Sequence, residues 1–188
     1  RDLGNTSQQC SLVIQFWLTE NVDSLCLEMS KMSEDRKLSL DSVRNFKTRL
    51  WLTNSVEATL QSTVASTQTR VQGLEDLVRK PTVSPDLRKQ TEENLKYAQA
   101  LLTSLKFNID KVASLRVQVQ DLEKKCEDWE QVWEATLPIV GLDEMRKQLR
   151  GQIVADRDRF KEWAESDRGL DLRKIRTQLD GVGKKEAK

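Results

Sequence analysis

Apolar residues recur along this chain in steps of three and four, the spacing that places them on one face of an α-helix. The pattern is longest between Leu95 and Trp133. There Leu95, Ala98, Leu102, Leu105, Ile109, Val112, Val119, Leu122, Cys126, Trp129 and Trp133 form one seam over about five heptads, interrupted at Arg116 with Leu115 beside it. No Gly or Pro falls inside the seam. The spacing predicts one continuous helix of about 50 residues from Pro85 to Thr136, about 75 Å long at 1.5 Å per residue.

Two helices are expected before it. The first runs from Ser7 to Met32 on Leu12, Phe16 (or Val13 and Trp17), Val22, Leu25, Met29 and Met32, and the polar run Ser33 to Lys37 supplies a turn. The second runs from Ser39 to Arg79 on Val43, Phe46, Leu50, Val56, Leu60, Val64, Val71, Leu74 and Val78, with Thr67 on the same seam. Gly73 weakens this helix by about 1 kcal/mol relative to Ala without ending it. The clearest break is Lys80 to Pro85: Pro81 removes a backbone donor, and Ser84, Pro85 and Asp86 read as an N-cap, a first-turn Pro and an acid that complements the helix dipole.

After the long helix, Pro138 disfavours helical geometry at Leu137, and Gly141 permits a left-handed turn, so the third helix is expected to stop there. A fourth helix begins near Leu142 on Met145, Leu149, Ile153, Phe160 and Trp163. Ser166 to Gly169 is a candidate break. A short final helix on Leu170, Leu172, Ile175 and Leu179 is then expected to end before Gly181, Gly183 and a loose tail from Lys184 to Lys188.

Helices of these lengths joined by short turns bury their stripes by folding back on one another, so the expected fold is all-α, an elongated antiparallel helical bundle. The third helix outruns the second by about ten residues, leaving an overhang from Cys126 to Trp133 for the fourth helix to cover. The expected organisation is a three-helix unit over 1–136 and a partial second unit over 137–188 that shares the long helix.

Composition narrows the function. Lys and Arg number 31 against 30 Asp and Glu, so no strong field draws the chain to nucleic acid or to anionic lipid. Only 7 Gly and 3 Pro leave little material for the turns of a sheet. A basic run at Arg146, Lys147, Arg150, Arg157, Arg159 and Lys161 is interrupted by Asp156, Asp158 and Glu162, which reads as a solvated helix face and argues against membrane binding. No apolar stretch is long enough to cross a bilayer, and no leader opens the chain. The first residue, Arg1, points to an excised fragment of a longer protein.

Candidate chemistry is sparse. The chain has no His, so neither Ser-His nor Cys-His nucleophile pairs can form. Cys10, Cys26 and Cys126 are far apart with no C-x-x-C spacing, which excludes structural zinc; Cys126 lies on the seam and reads as a reduced core thiol in a reducing, cytoplasmic compartment. Glu92-Glu93 and Asp143-Glu144 stand on solvated faces, and the glycines fit no phosphate-binding loop. The expectation is a protein that is not an enzyme, with no cofactor and no metal.

The aromatic residues carry more information. Trp129 and Trp133 lie four apart on one face, where Trp163 of the fourth helix is expected to join them in the core. Leu50, Trp51 and Leu52 are three consecutive large apolar residues, more than one stripe can absorb, so at least one looks outward; this triplet is the candidate protein-binding site, with Trp51 as its anchor.

Trp17-Leu18-Thr19-Glu20-Asn21-Val22-Asp23-Ser24-Leu25 resembles the Trp-Leu-x-Glu-x-x-x-x-Leu run in the first helix of a spectrin repeat. Trp17 and Trp129 are about 112 positions apart, close to one period of that family, whose third helix typically runs unbroken into the next repeat. The chain departs from the pattern in its long second helix and in lacking a second clear Trp-Leu-x-Glu run. The resemblance implies a structural rod or scaffold segment of a cytoskeletal protein of the spectrin, dystrophin, plakin or nesprin type, a cytoplasmic and cytoskeleton-associated spacer that docks other proteins and is monomeric when excised. The alternative is a helical stem segment of a motor or large assembly, such as a dynein heavy chain, whose apolar stripes other chains complete.

Overall fold

The computed structural model describes residues 3–186, and within them the side chains of 3–8, Cys10, Val56 and 182–186 are left undescribed. The chain is all-α, with no strand among the described residues. Five helices follow in order: α1 (Leu3–Met32), α2 (Leu40–Arg79), α3 (Pro85–Val140), α4 (Leu142–Glu165) and α5 (Leu172–Glu186).

Local chemistry sets most of the boundaries. Ser39 caps α2 through a reciprocal pair, its hydroxyl accepting from Ser42 N–H at 3.0 Å while its own N–H donates to the Ser42 hydroxyl at 2.9 Å. Ser84 caps α3 directly before Pro85. α3 is 56 residues long and continues through Pro138 to Val140, one turn beyond the expected end at Thr136. Pro138 is tolerated there because it removes a single bond of an exposed last turn; Gly141, with φ 81°, then stops the helix. α5 also outruns its expectation, continuing through Gly181 and Gly183 so that Lys184 to Glu186 are helical.

Between α4 and α5 the chain turns on Gly169. A Cβ at that position would lie 1.8 Å from the Trp163 carbonyl oxygen, so only glycine lets the backbone pass. The N–H groups of Gly169 and Leu170 then donate to the carbonyls of Ser166 and Ala164, closing the end of α4.

Cross-helix pairs fix the directions. α2 and α3 run antiparallel: Lys47 meets Glu127, Asn54 meets Glu123, Glu57 meets Arg116 and Gln99 meets Glu75. α4 and α5 climb back along α1, since Arg150, Arg157 and Arg176 reach Asp35, Ser30 and Asp23 in turn. One apolar core lies at the end nearest the α1–α2 turn and draws on all five helices, with Leu18, Leu25, Leu50, Val119, Trp129, Ile153 and Leu172 among its buried members. Toward the α2–α3 turn the buried positions come from that hairpin alone among the described residues and are partly polar: Val64, Thr67, Val71, Thr91 and Ala98.

The seam of α3 keeps a period of 3.5 residues, but through different side chains than expected. Asn108 and Leu115 are the buried residues, at 0% and 1% exposure, while Ile109 is half-buried and Arg116 exposed. The interruption at Arg116 is therefore no break. On α1 the buried line is Leu18, Val22, Leu25, Met29 and Met32, which continues upward through Gln15; Phe16 and Val13 are rotated out to solvent.

Candidate docking surface

Where α2 passes the core, Val43, Phe46 and Leu50 face inward, followed by Thr53 and Glu57 on the same face. Phe46 stacks on Trp129, with ring centroids 6.1 Å apart. Polar links hold α2 against α3 along this stretch: Lys47 lies 3.6 Å from Glu127, Asn54 donates to Glu123 at 2.9 Å, and Arg116 meets Glu57 at 3.1 Å. Glu57 is buried and also accepts from Gln61. The outer face of this part of α2 is thus carried on a helix whose position is fixed from behind.

On that outer face Trp51 is 65% and Leu52 54% exposed. Leu50 is fully buried and belongs to the core, so of the candidate triplet Trp51 and Leu52 are the residues available to a partner. Other apolar side chains also face solvent, among them Val13 and Phe16 on α1 and Phe107 on α3, whose ring lies beneath Lys111. The apolar spacing places Phe16, or Val13, on the inward stripe of α1, and Phe107 lies off the α3 seam, so the pattern alone marks none of them as exposed.

Trp129, Trp133 and Trp163 share the one core, the first fully buried and the other two half-buried against it. Trp129 is fully buried and its indole N–H donates to Asp156 at 2.8 Å, so α4 meets it at Asp156. Trp163 stands seven residues further along α4, about 10 Å along the axis, and stacks on Phe160 of its own helix. Asp156 itself is buried, held also by Gln152 and Arg159. The basic run on α4 is more than a solvated face: Arg146 donates to the Leu38 carbonyl at 3.2 Å, Arg150 to Asp35 at 3.2 Å and Arg157 to Ser30 at 2.8 Å, docking α4 on α1 and the turn after it.

Cys126 is buried and Cys26 half-buried, both as free thiols. Burial pushes the Cys126 thiol up to about 12 and the Cys26 thiol to about 11, so both stay protonated and poorly nucleophilic near neutral pH. Among the described residues no group of three or more His, Cys, Asp or Glu is placed to hold a metal ion. Among the described residues no helix is long and apolar enough to cross a membrane.

Comparison with family models, with curated proteins and with solved structures returned no match.

Proposed function

We propose that this chain is a non-enzymatic structural rod or scaffold unit of a cytoskeletal protein, of the spectrin-repeat type, that spaces other proteins apart and docks one of them at Trp51 and Leu52. The observation that carries the reading is α3. Its 56 residues run without a break from the α2–α3 turn to the far end of the core, so a displacement at one end is transmitted to the other along a single hydrogen-bonded element. In this reading residues 1–136 form a three-helix unit and 137–188 the start of a second one, the two sharing the long helix. Docking at Trp51 follows from its wide exposure on a helix fixed from behind, a setting in which an aromatic side chain loses little entropy on binding.

Trp51→Ala tests the docking part. The expected outcome is a melting temperature within about 2 °C of the parent, because the side chain is mostly solvated, with loss of about 2 kcal/mol or more of partner affinity, near thirtyfold. Thermal melting followed by pull-down from a cytoskeletal extract reads both; a strongly lowered melting temperature would place Trp51 in the core and remove the site. The second reading, a helical piece of a motor or large assembly, draws on the exposed Val13, Phe16 and Phe107, which another chain would cover. Sedimentation separates the two, since a rod unit is a well-folded monomer and a piece of an assembly self-associates or aggregates.

A further inference from the structure

The side chains that α1 turns inward change character at Leu18. From there on the buried line is apolar, Leu18, Val22, Leu25, Met29 and Met32, and polar links to three other helices reinforce it: Asp23 meets Arg176 of α5, Ser24 meets Arg49 of α2 and Ser30 meets Arg157 of α4. Before Leu18 the buried side chain is that of Gln15, 6% exposed. Leu12 is half-buried, Ile14 reaches the edge of the core, and Val13 and Phe16 face solvent. This part of α1 buries a polar side chain and leaves its larger apolar ones outside, the reverse of the pattern that drives a helix to dock.

α3 meets it with polar side chains of its own. Ser104 and Asn108 are buried, and the Asn108 amide nitrogen donates to the Ser11 hydroxyl at 3.1 Å and to the Ser104 carbonyl at 2.9 Å. The Gln15 amide nitrogen donates to the same Ser11 hydroxyl at 3.2 Å. The two side-chain carbonyls, Asn108 Oδ1 and Gln15 Oε1, are buried and accept no hydrogen bond from the described residues. Closing α1 over this layer strips water from two acceptors and supplies no donor in return, whereas lifting α1 from Leu18 onward would expose the apolar core. We propose that the part of α1 up to Phe16 is a strap that opens from α3 as a unit, parting at this polar layer, while the five-helix core stays closed. Opening hydrates Gln15 and Asn108 and uncovers the Ser104–Asn108 face of α3; the apolar line from Leu18 sets where it stops. The strap makes no use of the Trp51 site or of the proposed rod function.

Amide hydrogen exchange of the full 188-residue chain, read residue by residue by NMR, tests this. Amides 9–16 are expected to open together, about a hundredfold more often than those of 18–32, with the step falling between Gln15 and Leu18. Gln15→Met combined with Asn108→Leu replaces the layer by apolar side chains of similar shape. The pair should slow exchange in 9–16 by about tenfold or more and leave 18–32 unchanged. Val13→Thr, on the outward face, should change neither segment. Protection that climbs gradually from residue 9 would overturn the strap in favour of the fraying of an ordinary helix end. Equal protection over 9–32 would overturn it too, as would a double variant whose exchange in 9–16 is not slowed, or an equal slowing in Val13→Thr. A lowered melting temperature of the double variant would also overturn it, because the polar layer would then be holding α1 down.

Discussion

Trp129 and Asp156 show at the residue scale how the core closes. A fully buried indole has one polar atom, and its N–H is satisfied by a carboxylate that is itself buried and held by Gln152 and Arg159. Asp156→Leu leaves that N–H without an acceptor and is expected to cost about 1 to 3 kcal/mol in urea unfolding, whereas Asp156→Asn, which keeps a carbonyl acceptor, costs less. Equal losses in the two variants would show that the hydrogen bond is unimportant. Cys126 makes a prediction of opposite character. Burial raises its thiol to about 12 in the fold, against 9.0 for a solvated thiol. The unfolded chain therefore loses this proton near pH 9 while the folded chain keeps it, so the stability contributed is complete below pH 9 and is lost as pH rises toward 12. Melting temperatures from pH 8 to 10.5 should fall more steeply for the parent than for Cys126→Ala; parallel curves would contradict the buried neutral thiol.

At the scale of elements, the two ends of the α2–α3 hairpin differ in what holds them. Near the core α3 buries Val112, Leu115, Val119, Leu122, Cys126 and Trp129 in succession. Toward the hairpin tip it buries Thr91 and Ala98, with less apolar area to oppose opening. Pro at Lys96, an exposed position of the tip, removes a backbone bond and clashes with the preceding turn at about 3 kcal/mol or more. The expected result is fast amide exchange in 70–100 with the emission of buried Trp129 unchanged; global unfolding would mean that the tip and the core are one cooperative unit.

How much of this was legible in the sequence follows the same division. Helix ends marked by local chemistry, Ser39, Ser84 with Pro85, and Gly141, were readable because capping depends on a few neighbouring residues. The seam was readable where its residues are apolar, as at Val112, Val119 and Leu122. It was misread at Asn108 and Leu115 because the 3.5-residue period runs on through a polar side chain there, and a search for apolar residues slips to Ile109. Trp51 and Leu52 could be read as surplus to one stripe.

Over the whole molecule, the central claim is that a 188-residue chain is organised along one unbroken helix of 56 residues, which at 1.5 Å per residue spans about 84 Å. A compact chain of this length has a radius of gyration of about 16 Å, and a rod as long as α3 requires a markedly larger one. The core at one end and the hairpin at the other are held on the same axis by pairs that recur along it, from Lys47–Glu127 to Gln99–Glu75. Small-angle X-ray scattering of the monomer measures this directly. A maximum dimension of at least about 85 Å with the pair-distance profile of a rod is expected; a radius of gyration near 16 Å with a symmetric, compact profile would rule out a chain built along α3.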